Sequence, residues 1–201
     1  MYKHDEVLQV HDDLQSRLIQ SALVLFEENG FKNTTVNSIV THSSSSKGGF
    51  YHHFKSKDEL LYRIHESFIN HVNRLVDELE KKELSPADNL DYILTHFIFV
   101  YDRYKAHITV FNDENKYLAD EYKAEIVASR RKFKSAIEAI IIKGQQDGSF
   151  TSDIHPTVIT MSILGMVNWM YTWYKPDGKM TLDDIAREMK TFVFNALRSH
   201  S

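Results

Sequence analysis

The chain has 201 residues, 42% of them hydrophobic, a net charge of −4, seven glycines, three prolines and no cysteine. So few turn formers argue for long helices over a strand-rich fold, and the missing thiols exclude disulfides, thiolate metal sites, iron–sulfur clusters and cysteine redox switches. No run reaches the ~18 apolar residues of a membrane span, and the opening MYKHDEVLQVHDD holds no apolar signal segment, so a soluble, cytoplasmic protein with no membrane partner is expected.

Residues 1–11 read as a loose arm, which Asp5, Glu6, Asp12 and Asp13 make a poor reader of a DNA minor groove. From Leu14 onward, Leu18, Ile19, Ala22, Leu23 and Phe26 recur at helical spacing up to Asn29-Gly30, where the glycine is suited to end a helix. The stretch from Lys32 to Lys57 then holds four lysines and three histidines but no Asp or Glu, on a chain that is acidic overall. A local basic patch of this kind is the footprint of phosphate binding, though a solvated face would look similar.

The pattern inside that stretch is more specific. Val36, Ile39 and Val40 form the stripe of a short helix that Thr34 or Thr35 can cap. Ser43-Ser44-Ser45 makes a turn, and Ser46 to Phe54 offers a second short helix. Phe50 and Phe54 lie on one side of it, with Lys47, Gly48, Tyr51 and His52 on the other. Two short helices joined by a tight turn are a helix-turn-helix, whose second helix enters the major groove. Gly48 and Gly49 each weaken a helix by about 1 kcal/mol relative to Ala, and their expected use is close approach of the backbone to DNA. Ser56-Lys57-Asp58-Glu59 reads as a capping box. Lys57 sits in the first turn, where the helix dipole disfavours a cation, so it reads as a phosphate contact.

A fourth helix, Lys57 to about Lys82, carries Leu60, Leu61, Ile64, Phe68, Val72, Leu75, Val76 and Leu79 and is long enough to link the DNA-binding unit to the rest. Ser85-Pro86-Ala87-Asp88 opens a fifth, lined by Leu90, Ile93, Leu94, Phe97, Ile98 and Tyr101. A short sixth piece is expected over 105–111. The seventh, 117–146, has Arg130-Arg131-Lys132 in its middle, either a solvated basic face or an anion site.

Asp153 and Pro156 open an eighth helix, apolar nearly all round to Tyr174, and Thr181 and Asp184 cap an amphipathic ninth. This pair needs more apolar cover than one protomer offers, so a homodimer through Val158, Met166, Ile185, Met189, Phe192 and Val193 is expected. Trp169 and Trp173 lie four apart with Asn168 and Thr172 beside them; aromatics so placed fill cores, and also line small-molecule pockets. The coarse reading is all-α, about nine helices in two domains: 1–56 for DNA binding, 57–201 for ligand binding and dimerisation. No phosphate loop, nucleophile elbow, H-E-x-x-H or helical His pair occurs, so no enzyme, cofactor or metal is expected.

Leu18-Ile19-xx-Ala22-xx-Leu25-Phe26-xx-Asn29-Gly30-Phe31, Thr34-Thr35-Val36-xx-Ile39 and Ser46-Lys47-Gly48-x-Phe50-Tyr51-x-His53-Phe54-x-Ser56-Lys57-x-Glu59-Leu60-Leu61 resemble the N-terminal pattern of the TetR/AcrR family of bacterial transcriptional repressors. The turn departs from that pattern, with Ser43-Ser44-Ser45 where the family usually has Ala-Gly-Val. The resemblance implies a dimer on a palindromic operator, with Thr34, Thr35, Ser46, Lys47, Gly48, Gly49, Tyr51, His52, Lys55 and Lys57 at the DNA. The C-terminal half, with Arg131, Phe133 and Asn168-Trp169-xxx-Trp173-Tyr174-x-Pro176-Asp177-Gly178, is similar to the acyl-CoA-responsive branch that controls lipid or steroid breakdown. That similarity implies a cavity bounded by Phe97, Tyr101, Phe111, Asn168, Trp169, Thr172 and Trp173, with Arg130 or Arg131 on the CoA phosphates. Release of the operator by a small hydrophobic effector follows. A multidrug-type repressor released by aromatic or cationic drugs, and a DNA-binding regulator without a ligand, stand as alternatives.

Overall fold

The computed structural model describes residues 13–198, and every regular element in that range is helical. Helix α1, Leu14–Asn33, starts at Asp13, whose carboxylate accepts the Ser16 N–H at 2.7 Å. Gly30, at φ 75°, interrupts it just after Asn29, as the expected stop requires. Helix α2, Val36–His42, is capped by Thr35 in a reciprocal pair with Ser38, and α3, Lys47–His53, by Ser46. The hydroxyls of Ser43 and Ser45 close the turn between them. Ser43 bonds to the Val40 carbonyl at 3.3 Å and to Ser45 Oγ at 2.8 Å, and Ser44 takes the left-handed conformation, φ 50°, usually left to glycine.

Beyond this unit run α4 (Lys57–Leu79), α5 (Pro86–Glu114), a 3-10 turn (Asn115–Tyr117), α6 (Asp120–Gln146), α7 (Pro156–Asn168), the one-turn α8 (Met170–Trp173) and α9 (Leu182–Ala196). Helix α5 lies at the centre, packed by α1, α4, α6, α8 and α9, and one continuous apolar cluster joins the N-terminal unit to the rest.

Two expectations about helices need correction. The separate piece over 105–111 does not exist: α5 has no Gly or Pro after its first residue, and Ile98, Tyr101, Ile108 and Phe111 keep one buried side through to Glu114. The expected eighth helix is broken at Trp169. The Tyr101 hydroxyl donates to the Asn168 carbonyl at 3.0 Å, so the Thr172 N–H turns to the Trp169 carbonyl at 3.2 Å instead. The caps shift as well. His155 Nδ1, rather than Asp153, accepts from Thr157 at the start of α7, and Glu59 reaches past Ser56 to the Lys55 N–H at 2.8 Å.

Among the buried polar groups without a partner, one histidine is unpaired at both ring nitrogens. His65 on α4 is 1% exposed, packs on Phe111 with ring centres 3.2 Å apart, and offers neither ring nitrogen a partner. Burial, and then the Arg130 charge, push its pKa down to about 2, so the imidazole is neutral. An unfolded imidazole titrates near 6.5 and takes up a proton that the folded one refuses. Stability therefore rises with pH in this range: fully present above about pH 6.5, and declining below it by about 1.4 kcal/mol per unit. Urea unfolding at pH 7 and pH 5 should show about 2 kcal/mol of such loss from His65 alone. The His65→Leu variant should lose correspondingly less; an unchanged pH dependence would remove His65 as its source.

Candidate DNA-binding face and ligand cavity

Helix α3 has seven residues, a rod about 10 Å long. Phe50 and Phe54 are buried, while Lys47, Gly48, Tyr51 and His52 stand exposed together on the opposite side, Tyr51 55% exposed. Thr35, Ser46 and Lys55 are exposed around them. A helix of this size fits a major groove about 12 Å wide. Thr35 and Ser46 spend their side-chain oxygens on caps, accepting from Ser38 and Gly49 at 3.0 and 3.1 Å.

The two glycines separate. A Cβ on Gly48 would meet nothing closer than Ser46 Oγ at 3.8 Å, so the fold does not need glycine there, and its bare backbone is free to approach DNA. A Cβ on Gly49 would stand 2.8 Å from Leu14 Cδ2, so that glycine lets α1 pack closely on α3 and leaves the DNA set. Thr34 leaves it too: 2% exposed, its hydroxyl is shared between the carbonyls of Leu25 and Gly30 at 3.0 and 2.9 Å.

Lys57 is the largest correction. Its ammonium donates to the carbonyls of Phe31 and Thr34 at 2.5 and 2.7 Å and lies 4.1 Å from the centre of the Phe31 ring. Burial lowers its pKa, partly offset by Asp58 and Glu114. The charge that the sequence assigns to a phosphate instead closes the α1–α2 corner onto α4. Phe31 continues the junction by stacking on Tyr117, 5.8 Å away, just past the end of α5.

A cavity of about 610 Å³ opens between α4, α5, α6 and α7, within the size range of small-molecule sites. Its apolar walls include Phe68, Ile69 and Val72 of α4, Phe97, Ile108 and Phe111 of α5, Phe133 of α6 and Leu164 of α7. Arg130, Arg131 and Lys134 also line it, with Asn112 and Asn168, and no carboxylate is among its lining residues, although Lys134 pairs with Glu138 at 3.5 Å. The Arg130 guanidinium lies 4.2 Å over Phe111, and burial lowers its pKa. Lys132 faces elsewhere, paired with Asp77 of α4 at 2.5 Å.

Of the expected ligand residues, Phe97, Phe111, Arg130, Arg131 and Asn168 meet here, whereas Tyr101, Trp169, Thr172 and Trp173 do not. Tyr101 is a buried pin on the Asn168 carbonyl. Trp169 and Trp173, 62% and 44% exposed, point away because the break after Asn168 turns them out of the α7 register, and the Thr172 hydroxyl folds back on the Trp169 carbonyl. The α4 wall was missed; Phe68, Ile69 and Val72 follow ordinary core spacing, and nothing local distinguishes a residue facing a cavity from one facing a neighbour.

The outer sides of α7 and α9 leave Val158, Met161 and Phe192 exposed, Phe192 at 68%, beside an apolar groove of about 530 Å³. Met166 lines that groove and Val193 floors it at 5% exposure; Met189 is half-buried, and Ile185, 3% exposed, packs inward where α9 lies on α5, which withdraws it from the expected dimer face.

Comparison with known proteins follows these two halves. Residues 18–64 match the family model described as bacterial regulatory proteins, tetR family, and residues 83–197 match the tetracyclin repressor-like C-terminal domain. The HTH-type transcriptional repressor KstR2 of Rhodococcus jostii is 27% identical over 187 residues, covering 92% of this chain and 91% of that protein. The structure of the ketosteroid transcriptional regulator KstR2 of Mycobacterium tuberculosis superposes with a TM-score of 0.84 over 94% of this chain and 96% of its own, at 20% identity, a likeness of fold. AibR, solved in complex with isovaleryl coenzyme A and operator DNA, reaches a TM-score of 0.78 at 27% identity over 90% of this chain and 98% of its own.

The placement of the two lysines yields opposite expectations for DNA binding. Lys47→Ala should weaken binding to all sequences and reduce the salt slope by about 1, as a lost phosphate contact does. Lys57→Met should leave that slope unchanged but lower stability by about 1–2 kcal/mol, because two carbonyls lose their donor. Anisotropy titrations across a salt series, with thermal melts of each variant, check both; a reduced slope in Lys57→Met would restore it to the DNA face.

Proposed function

The chain belongs to the TetR family of bacterial regulatory proteins, and on that premise we propose that it is a repressor which holds a palindromic operator as a homodimer and releases it when an acyl-coenzyme A enters the cavity between α4, α5, α6 and α7. The observation that carries this reading is the composition of the cavity lining, apolar side chains from four helices together with three cations of α6 and no carboxylate. Phe68, Val72, Phe97, Ile108 and Phe133 suit a branched acyl chain or a fused ring, and Arg130, Arg131 and Lys134 suit the phosphates attached to it. The isovaleryl coenzyme A named with AibR matches both the apolar and the cationic residues, and the ketosteroid named with KstR2 matches the apolar ones. A multidrug-type repressor for cationic drugs fits less well, since the cavity lining brings three cations and no carboxylate.

Such a ligand acts only by binding one arrangement of the dimer better than another. Filling the cavity bears directly on α4 through Phe68, Ile69 and Val72, and α4 is the helix whose first residue, Lys57, clasps the DNA-binding unit. A displacement of α4 then moves two α3 helices out of step with major grooves about 34 Å apart. Trp169 and Trp173 leave the ligand set in this reading and join the exposed α7–α9 side that a second copy covers.

Operator release, followed by anisotropy while acyl-coenzyme A thioesters of increasing chain length are added, tests the reading. Release at micromolar concentrations is expected, with the Arg130→Ala/Arg131→Ala variant needing at least about tenfold more ligand, the loss of one to two charge-assisted contacts. Release by cationic drugs and by none of the thioesters would overturn it. For the dimer, Phe192→Asp should sediment as a folded monomer that no longer holds the operator; a wild-type protein that sediments as a monomer at micromolar concentration would rule the arrangement out.

A further inference from the structure

Apart from the DNA face and the cavity, a second group of cations gathers between α4 and α5. His71 and Arg74 come from α4; His96, Arg103, Tyr104 and His107 come from α5. Arg74 Nη2 is 3.3 Å from His71 Nδ1, and the His71 ring lies 5.2 Å from Tyr104. Tyr104 in turn is 5.3 Å from the His107 ring and 5.5 Å from the Arg103 guanidinium.

Two carboxylates nearby are engaged elsewhere. Glu78 accepts from the Tyr92 hydroxyl at 2.8 Å and Asp77 pairs with Lys132, while Asp102 forms no ion pair among the described residues. Neither Arg74 nor Arg103 forms an ion pair among the described residues. The groups therefore repel one another. Burial lowers the pKa of His71, and Arg74, Arg103 and His96 lower it further, with Glu78 only partly opposing them. His107 is pushed down to about 4 by burial and then Arg103, and its Nδ1 is buried without a partner. Two exposed guanidinium forks beside these imidazoles, with no paired carboxylate, offer several N–H donors that an anion with several oxygens can bridge.

We propose that this side-chain cluster where α4 meets α5 is a second anion site, in which Arg74 and Arg103, together with His71, hold a phosphate-type oxyanion. Inorganic phosphate and the phosphates of a nucleotide share that chemistry. The site adjoins the cavity, since the cavity residue Phe68 lies one turn before His71 on α4 and 6.2 Å from the Tyr104 ring, but none of Arg74, Arg103 and His71 is among the cavity's lining residues. It does not depend on the acyl-coenzyme A reading. An anion there favours the imidazolium form of His71 over the neutral one, so binding strengthens as pH falls from 7.5 to 6.0.

The test uses the full chain and inorganic phosphate. Thermal midpoints are compared in sodium phosphate and in sodium chloride of equal ionic strength, at pH 6.0 and 7.5. A saturable rise over chloride is expected, about 3 °C when phosphate is tenfold above its Kd, and larger at pH 6.0. The rise should disappear in Arg74→Ala/Arg103→Ala and persist in Arg130→Ala/Arg131→Ala, which separates this site from the cavity. Adding ADP distinguishes the sources: saturation well below the phosphate concentration points to a nucleotide, and an equal or weaker response points to free phosphate. If the double variant does not fold, the His71 ring resonance of the wild type under phosphate titration decides in its place: a saturable shift supports the site, and none refutes it. No rise over chloride, a rise retained without Arg74 and Arg103, or one lost with Arg130 and Arg131 would each overturn the proposal.

Discussion

The Lys57 ammonium, held on the carbonyls of Phe31 and Thr34, is the contact on which the relation between the two halves rests. Those carbonyls lie just after Gly30, where α1 ends and α2 has not begun, so the helices offer them no partner of their own. A cation at a helix N-terminus is unfavourable to the dipole, and partial burial adds to that. Both costs are offset by two charge-assisted bonds and the face of the Phe31 ring. The result is a hinge-like corner with chemically specified ends: α4 cannot slide along its axis without releasing one of the two carbonyls.

A second contact reaches the same corner from α5. Phe31 stacks on Tyr117, and Glu114 closes over Gly30, its carboxylate 3.3 Å from where a Cβ would stand. Phe111, one turn earlier on α5, covers His65 on one side and carries the Arg130 guanidinium on another. The cavity wall, the neutral histidine and the DNA-binding corner thus lie within two turns of α5. A partnerless imidazole at this point gains nothing from its polarity; it fills space between α4 and α5, where any repacking of Phe111 must involve it.

The sides of α7 and α9 that face away from α5 have the opposite character. They expose the large apolar Val158, Met161 and Phe192, while the polar group that ends α7, the Tyr101 hydroxyl, is buried and aimed at a single carbonyl. That bond ends α7 at Asn168 and divides two tryptophans from the cavity that Asn168 itself reaches.

The sequence alone determined the helix-turn-helix, the caps at Ser56, Ser85 and Thr181, a cap at Thr34 or Thr35, and the stop at Gly30, because each depends on bonds made within four residues or on a φ that only certain residues tolerate. It also placed Lys47, Tyr51 and His52 on one exposed side of α3, since helical spacing settles which residues share a face. Only the tertiary structure decided what those faces meet. Lys57 bonds to residues 23 and 26 positions earlier, Gly49 makes room for Leu14, and Tyr101 interrupts a helix 67 residues later. The cavity was half legible for the same reason. Phe97, Phe111, Arg130 and Asn168 stood out by type, but Phe68 and Val72 repeat like any core residue, and whether such a residue meets a side chain or a void is fixed by three other helices. Periodicity reports a direction from the helix axis; it carries no information about what occupies the far end.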